Sequence, residues 1–231
     1  MAVIPYPEWR LWMYYANVFG AMSPNGMLLD SDGAVALAFG RNSIPDCDLS
    51  SVRSLDQVRG ESYLATIKRL SDQGFDPGTP NQKIAETIKG YLSMYRIVNA
   101  SVFAQWELCV ALFQMYGEQW ITRTFSEQRL SCLWPRPNME NYRSLHVLDD
   151  AYKADRKRQR PMNYPLLLAH DFHMPRVYML ARKIWDCPIV VRKTITQSFD
   201  PKSVQKMTTT PLQWYSYEAH ARVHHLLHHW V

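Results

Sequence analysis

Residues 102–116 run Val-Phe-Ala-Gln-Trp-Glu-Leu-Cys-Val-Ala-Leu-Phe-Gln-Met-Tyr, and only Gln105, Glu107 and Gln114 interrupt the apolar sequence. A segment this long and this apolar has no face to offer to water, so it belongs in the middle of the fold. At helical period it reads as a helix buried on every side, with the other elements packed around it. No segment of the chain reaches the roughly 18 successive apolar residues that a membrane-spanning helix needs.

The surrounding pattern is mostly helical. Residues 7–19 read as an N-terminal helix, with Pro7 in the first turn and Gly20 as the stop. Residues 27–39 read as a β-hairpin turning at Ser31-Asp32-Gly33. Residues 61–73 form a helix with Gly74 as its C-terminal cap. Thr79-Pro80-Asn81-Gln82 opens a second helix, with Ile84, Ile88, Tyr91, Leu92 and Tyr95 on one face. The chain reads as a single domain, 1–231, in which the rigid break Trp134-Pro-Arg-Pro137 is the candidate boundary between two lobes, 1–134 and 138–231. Helices follow over 139–160, 175–185 and 210–230, with one β-branched strand over 188–199. The expected fold is therefore mainly α, with one β-hairpin and one later strand, compact or bilobal. Gly is scarce at 9 residues, which argues against a doubly wound nucleotide fold. Cys47, Cys109, Cys132 and Cys187 form no C-x-x-C pair, so reduced thiols and an intracellular, cytoplasmic protein are expected, nuclear or virion-borne being the other compartments in view. No charged and apolar leader opens the sequence, so no signal peptide is expected.

Charge is the next constraint. Residues 1–120 hold nine Lys/Arg against twelve Asp/Glu, whereas 121–231 hold seventeen against nine. Such asymmetry implies a basic face, and 17 Arg against 9 Lys favours phosphate, which the guanidinium grips with two parallel bonds. Lys153, Arg156, Lys157, Arg158 and Arg160 fall within eight residues at a helix C-terminus, where the macrodipole also favours them. Arg143, Arg182, Lys183, Arg192 and Lys193 extend the set, and Tyr164 supplies a ring for base stacking. These residues are the expected nucleic-acid interface, with RNA as the favoured partner. The aromatic N-terminal helix, with Trp9, Trp12, Tyr15 and Phe19, is the expected contact between copies of the chain.

Five of the eight histidines lie in the last twelve residues. His220, His224 and His228 recur at i, i+4 on one helical edge, opposite a buried stripe of Ala219, Val223, Leu226 and Trp230. A metal site needs further ligands and a second shell, with Glu218 the nearest carboxylate, so no metal and no cofactor is expected. A pH-responsive polar face is the preferred reading.

Leu28-Leu29-Asp30-Ser31-Asp32-Gly33 resembles the first motif of haloacid-dehalogenase-type phosphatases, and also the metal-binding D-x-D of some glycosyltransferases. Leu145-His-Val-Leu-Asp149-Asp150 resembles the later acidic motif of the phosphatases. That resemblance implies a nucleophilic Asp30 and an acid/base Asp32 in a metal-dependent phosphohydrolase or transferase. The same four residues, Asp-x-Asp-Gly, also make a hairpin turn, which is the reading preferred here. P-loop, G-x-G-x-x-G, G-x-S-x-G and kinase signatures are absent from the sequence. The expected function is a non-enzymatic, self-assembling nucleic-acid-binding structural protein of nucleoprotein or coat type. The alternatives are the Asp30/Asp32 enzyme and a non-catalytic adaptor that binds protein through aromatic surfaces.

Overall fold

The computed structural model describes residues 31–45, 61–94, 101–135, 142–185, 190–193 and 199–229, with the backbone alone at 61–62, 175, 190–193 and 221–229. Five short strands, β1 (Gly33–Ala36), β2 (Ser101–Gln105), β3 (Leu130–Leu133), β4 (Pro165–Ala169) and β5 (Val190–Lys193), form one sheet in the order β3-β2-β1-β4-β5. Every pairing is parallel, and Ala34, for instance, lies between Val102 on one side and Leu166 on the other. The helices are α1 (Glu61–Asp72), α2 (Thr79–Met94), α3 (Trp106–Ser126), α4 (Ser144–Arg156), α5 (Met174–Ile184) and α6 (Pro211–His229), with a 3-10 turn at Lys206–Thr208.

The fold is thus α/β and not mainly α with one hairpin and one later strand. Of the expected hairpin, residues 31–39 are described, and 33–36 among them join a parallel sheet at its centre. The expected all-round helix over 102–116 is two elements: Ser101–Gln105 is strand β2, and α3 starts at the next residue, Trp106. The physical reason is the same in both cases. A parallel strand is covered on both faces, so it shows no alternation of apolar and polar residues and cannot be told from a buried helix by period. Pro165-Leu-Leu-Leu-Ala169 is the extreme example, buried at all five positions. The argument from scarce Gly also fails, because the loop after β1 needs only one glycine with positive φ, Gly40.

Alternation becomes visible only when the two sides of the sheet are compared. Ala34, Ala36, Val102, Ala104, Leu166 and Leu168 face a core shared with α1, α2 and α3. Val35, Leu37, Phe103, Leu167 and Ala169 face a second core shared with α4 and α5. Each fully buried Val or Leu contributes about 1.5–3 kcal/mol relative to an exposed one, so the three layers are held mainly by these two faces. Strands come from both sides of Trp134, since β1 pairs with β4. The helices expected at 61–73, 79 onward, 139–160, 175–185 and 210–230 are present with small shifts at their ends. Gly74 caps α1 as expected, at φ +77, with the Phe75 N–H donating to Leu70 O at 2.9 Å.

Candidate functional site

The chain leaves β1 toward β2 and leaves β4 toward β5, so the two central strands send their connections in opposite directions. In open α/β sheets this divergence opens a crevice at the carboxyl ends of the strands. The switch point here lies between β1 and β4, beyond Ala36 and Ala169. Two helices start beside it: α3 follows β2 without a loop, and α5 follows β4 after four residues. Both aim the positive ends of their dipoles at the carboxyl edge.

Backbone amides leaving β1 are received in turn by three partners. Leu37 N–H donates to Leu168 O, Ala38 N–H to Gln105 Oε1 and Phe39 N–H to Asn81 Oδ1. Asn81 Nδ2 then donates to Gly40 O and Pro77 O, both at 2.6 Å. This network fixes the loop that carries Arg41.

Arg41 Nη1 lies 3.4 Å from Oε1 of Glu107, which sits in the first turn of α3. Glu107 is 3% exposed. Burial pushes its carboxyl up to about 7, against the opposing pull of the Arg41 charge. Glu107 Oε2 and Arg41 Nε are buried and have no hydrogen-bond partner among the described residues. A carboxyl of this kind is half protonated near neutrality, the condition for moving protons in both directions.

The β4 side of the crevice carries His170, His173 and Arg176, all buried. The His170 ring stacks on Phe39 with centroids 3.7 Å apart, and its Nδ1 accepts the Phe172 N–H. His173 Nε2 is 2.7 Å from Ser144 Oγ at the start of α4, while its Nδ1 has no hydrogen-bond partner among the described residues. Burial holds the His173 imidazole well below its usual range, with Arg176 and His170 adding to the effect. Arg176 Nη1 is 3.1 Å from Glu218 Oε2 of α6, and its guanidinium lies over the rings of Trp214 and Tyr217. Trp214 Nε1 donates to Phe172 O. The segment 199–218 therefore packs across the switch point, with Trp214 against Phe39 and, at its other end, Ser203 Oγ and Val204 N–H donating to Arg41 O.

The residues singled out in the sequence lie elsewhere. Arg156 ends α4, with Lys157, Arg158 and Arg160 following it before β4, and Arg182 and Lys183 end α5 just before β5, so all six are at the amino edge of the sheet. Arg143 precedes α4, and Arg192 and Lys193 end β5, which places these three at the carboxyl edge. The structure thus brings together one part of the basic set and separates it from the other. Several cations already have partners: Lys153 with Asp149 at 2.7 Å, Arg158 with buried Asp155 at 3.4 Å, and Arg156 over the Tyr152 ring. Lys157 and Arg160 are exposed, and Tyr164 is 45% exposed beside them in sequence. Asp32 also stands at the amino edge, where its carboxylate accepts the N–H groups of Asn163 and Tyr164 and fixes the entry to β4. Asp30, Trp9, Trp12, Tyr15 and Phe19 lie outside the described residues, as do the side chains of His224 and His228. His220 is exposed. Ala219, expected to be buried, is exposed, and the inward face of α6 is Trp214 and Glu218. Among the described residues no group of three or more His, Cys, Asp or Glu is placed to hold a metal ion.

Sequence reasoning missed Arg41, Glu107, His170, His173 and Arg176. A signal was present for two of them. Glu107 is one of three polar residues in the most apolar segment, and His170 ends the run Leu-Leu-Leu-Ala, where a parallel strand would place it at the carboxyl edge. Fold and strand order together define the class: a doubly wound, all-parallel α/β protein with charged residues at its switch point. Comparison with family models, curated proteins and solved structures finds no match to the chain.

Proposed function

We propose that the protein binds a small anionic molecule in the crevice between β1 and β4 and carries out proton-transfer chemistry on it. The observation that carries this reading is Glu107: a buried carboxyl titrating near 7, with an unpartnered oxygen, beside an arginine at the switch point of the sheet. Buried polar atoms without partners are costly, about 1–3 kcal/mol each, and at a crevice they are retained where a ligand completes them. Arg41 supplies the charge that holds an acidic group, Glu107 gives or takes the proton, and the dipoles of α3 and α5 stabilise negative charge that develops between them. The test is a thermal-shift screen of phosphorylated and carboxylated small molecules, followed by turnover assays on the binders. Arg41→Gln should lose binding, whereas Glu107→Gln should keep binding and lose turnover. Retained turnover in Glu107→Gln overturns the assignment.

We also propose a second reading, nucleic-acid binding at the amino edge. It is supported by Lys157, Arg160, Arg182 and Lys183, all exposed at the ends of two neighbouring helices, with the exposed Tyr164 ring nearby. Cations for phosphates plus a ring for stacking suit a single strand, with RNA favoured over DNA. Titration of labelled single strands at several salt concentrations tests it.

A further inference from the structure

Two arginine–glutamate pairs flank the switch point, one on each side. Arg41–Glu107 belongs to the loop after β1 and to α3. Arg176–Glu218 joins the first turn of α5 to α6 and is the more enclosed, with side chains 10% and 5% exposed. Arg176 uses Nη1 toward Glu218, while its Nε is buried and has no hydrogen-bond partner among the described residues. A guanidinium presents Nε and Nη in a fork that fits two oxygens at once, so this contact with one carboxylate oxygen leaves half of the fork unused.

We propose that Arg176 and the start of α5 form a phosphate subsite of the crevice, and that Glu218 occupies it as an internal stand-in until a phosphorylated ligand displaces it. This inference rests on the reading of the crevice as a ligand site and names its ligand class. A phosphate monoester brings a second negative charge and a further oxygen for Nε, and it meets the positive end of the α5 dipole. Glu218 is replaceable because the incoming phosphate takes over the Arg176 charge, so no buried cation is left uncompensated, while the released carboxylate regains water. Displacement has a structural consequence. The Arg176 guanidinium lies over Trp214 at 5.2 Å and Tyr217 at 5.1 Å, so losing Glu218 loosens the first turns of α6 from α5. The segment 199–218 then lifts from one end while Ser203 and Val204 keep it bonded to Arg41 O at the other. Ligand entry and opening of the cover become one event.

The experiment uses the full chain and inorganic phosphate as the probe, with calorimetric titration of wild type, Glu218→Gln and Arg176→Gln, and hydrogen exchange across 199–218. Removing the internal competitor raises the competent fraction, so Glu218→Gln should bind phosphate at least about tenfold more tightly than wild type. Arg176→Gln should lose the binding, and saturating phosphate should speed exchange in the first turns of α6 in wild type. Equal affinity in wild type and Glu218→Gln, or no binding to Glu218→Gln, overturns the proposal. If Arg176→Gln does not fold, the Glu218→Gln comparison still decides. Loss of ligand in Arg41→Gln with no effect of Glu218→Gln would leave the crevice reading standing and remove the stand-in alone.

Discussion

The side-chain amide of Asn81 acts as an extra strand for Phe39: its Oδ1 accepts the Phe39 N–H at 2.8 Å, just past the end of the β1 ladder. Its Nδ2 holds Gly40 O and Pro77 O at the same time. One fully buried residue thus connects the loop that carries Arg41 to the start of α2.

Asn81→Ala removes three hydrogen bonds and leaves one N–H and two carbonyls without these partners. The cost of such groups, about 1–3 kcal/mol each and shared among neighbours after relaxation, puts the expected loss at roughly 3 kcal/mol. Asn81→Asp should be no better, since a carboxylate still accepts from Phe39 but faces two carbonyl oxygens. Urea denaturation of the three proteins measures this; a midpoint unchanged in Asn81→Ala would show that the loop is held by something else.

Gly40 is a point of close approach between the β1 loop and the segment 199–218. Its φ is +71, and a Cβ there would lie 2.4 Å from Thr208 Oγ1 and 2.9 Å from Ser203 Oγ. Gly40→Ala combines a left-handed backbone with a clash, for an expected cost of about 2–3 kcal/mol. Thr208→Ala removes the Oγ1 clash alone, and should recover part of the steric cost but not the backbone part. A Gly40→Ala/Thr208→Ala double variant intermediate between Gly40→Ala and wild type is the expected result. Identical melting of Gly40→Ala and wild type would contradict this packing.

Two buried groups give opposite pH slopes. The Glu107 carboxyl is raised from 4.5 to about 7 by burial, with Arg41 opposing and Cys132 nearby. Its folded form holds the proton more tightly than its unfolded form. The stability it contributes is full below about 4.5 and is lost as pH rises through 7, on the order of 3 kcal/mol. His173 is held well below 6.5 by burial, then by Arg176 and His170, and touches Ser144. Its contribution is full above about 6.5 and falls as pH drops below that value. Between 4.5 and 6.5 the two slopes oppose each other. Glu107→Gln should therefore expose a stability that rises with pH, and His173→Gln one that falls. Denaturation series from pH 4.5 to 7.5 read both signs directly; matching slopes in the two variants would refute the assignment.

The helices were legible because their signals are local. Gly74 ends α1, Thr79-Pro80 starts α2, and the apolar spacing of Ile84, Ile88, Tyr91 and Leu92 survives in the core. The strands were not, because their partners are remote in sequence. Nothing within Ser101–Gln105 or Pro165–Ala169 distinguishes a doubly covered strand from a buried helix, and only pairing with Gly33–Ala36 settles it. The site followed the strands. Arg41, Glu107, His170 and Arg176 are spread over 136 positions and become neighbours only at the carboxyl edge of a sheet. A basic run such as 153–160, by contrast, is visible in one line of sequence whether or not its charges are already in use. Three of them are, Lys153, Arg156 and Arg158: reversing Arg158 would place a carboxylate beside buried Asp155, so a charge-reversal test that includes it would confuse binding with folding.

The amino-edge reading is therefore tested with Lys157, Arg160 and Arg182 alone. All three are exposed, and Arg182 makes only a 3.4 Å contact with Tyr178 Oη among the described residues. If each contacts a phosphate, the triple change to Gln should flatten the slope of log affinity against log salt by roughly 2–3 for a single strand. Lys153 and Arg158, already paired, should contribute little when changed singly to Gln. Fluorescence anisotropy of a labelled oligonucleotide at 50–200 mM salt, about the range over which such slopes are measured, gives the answer. Tyr164→Ala should weaken binding by about 1–3 kcal/mol without changing the slope, because a stacked ring carries no charge. An unchanged slope in the triple variant would take nucleic acid away from this edge and leave the crevice as the functional surface of the chain.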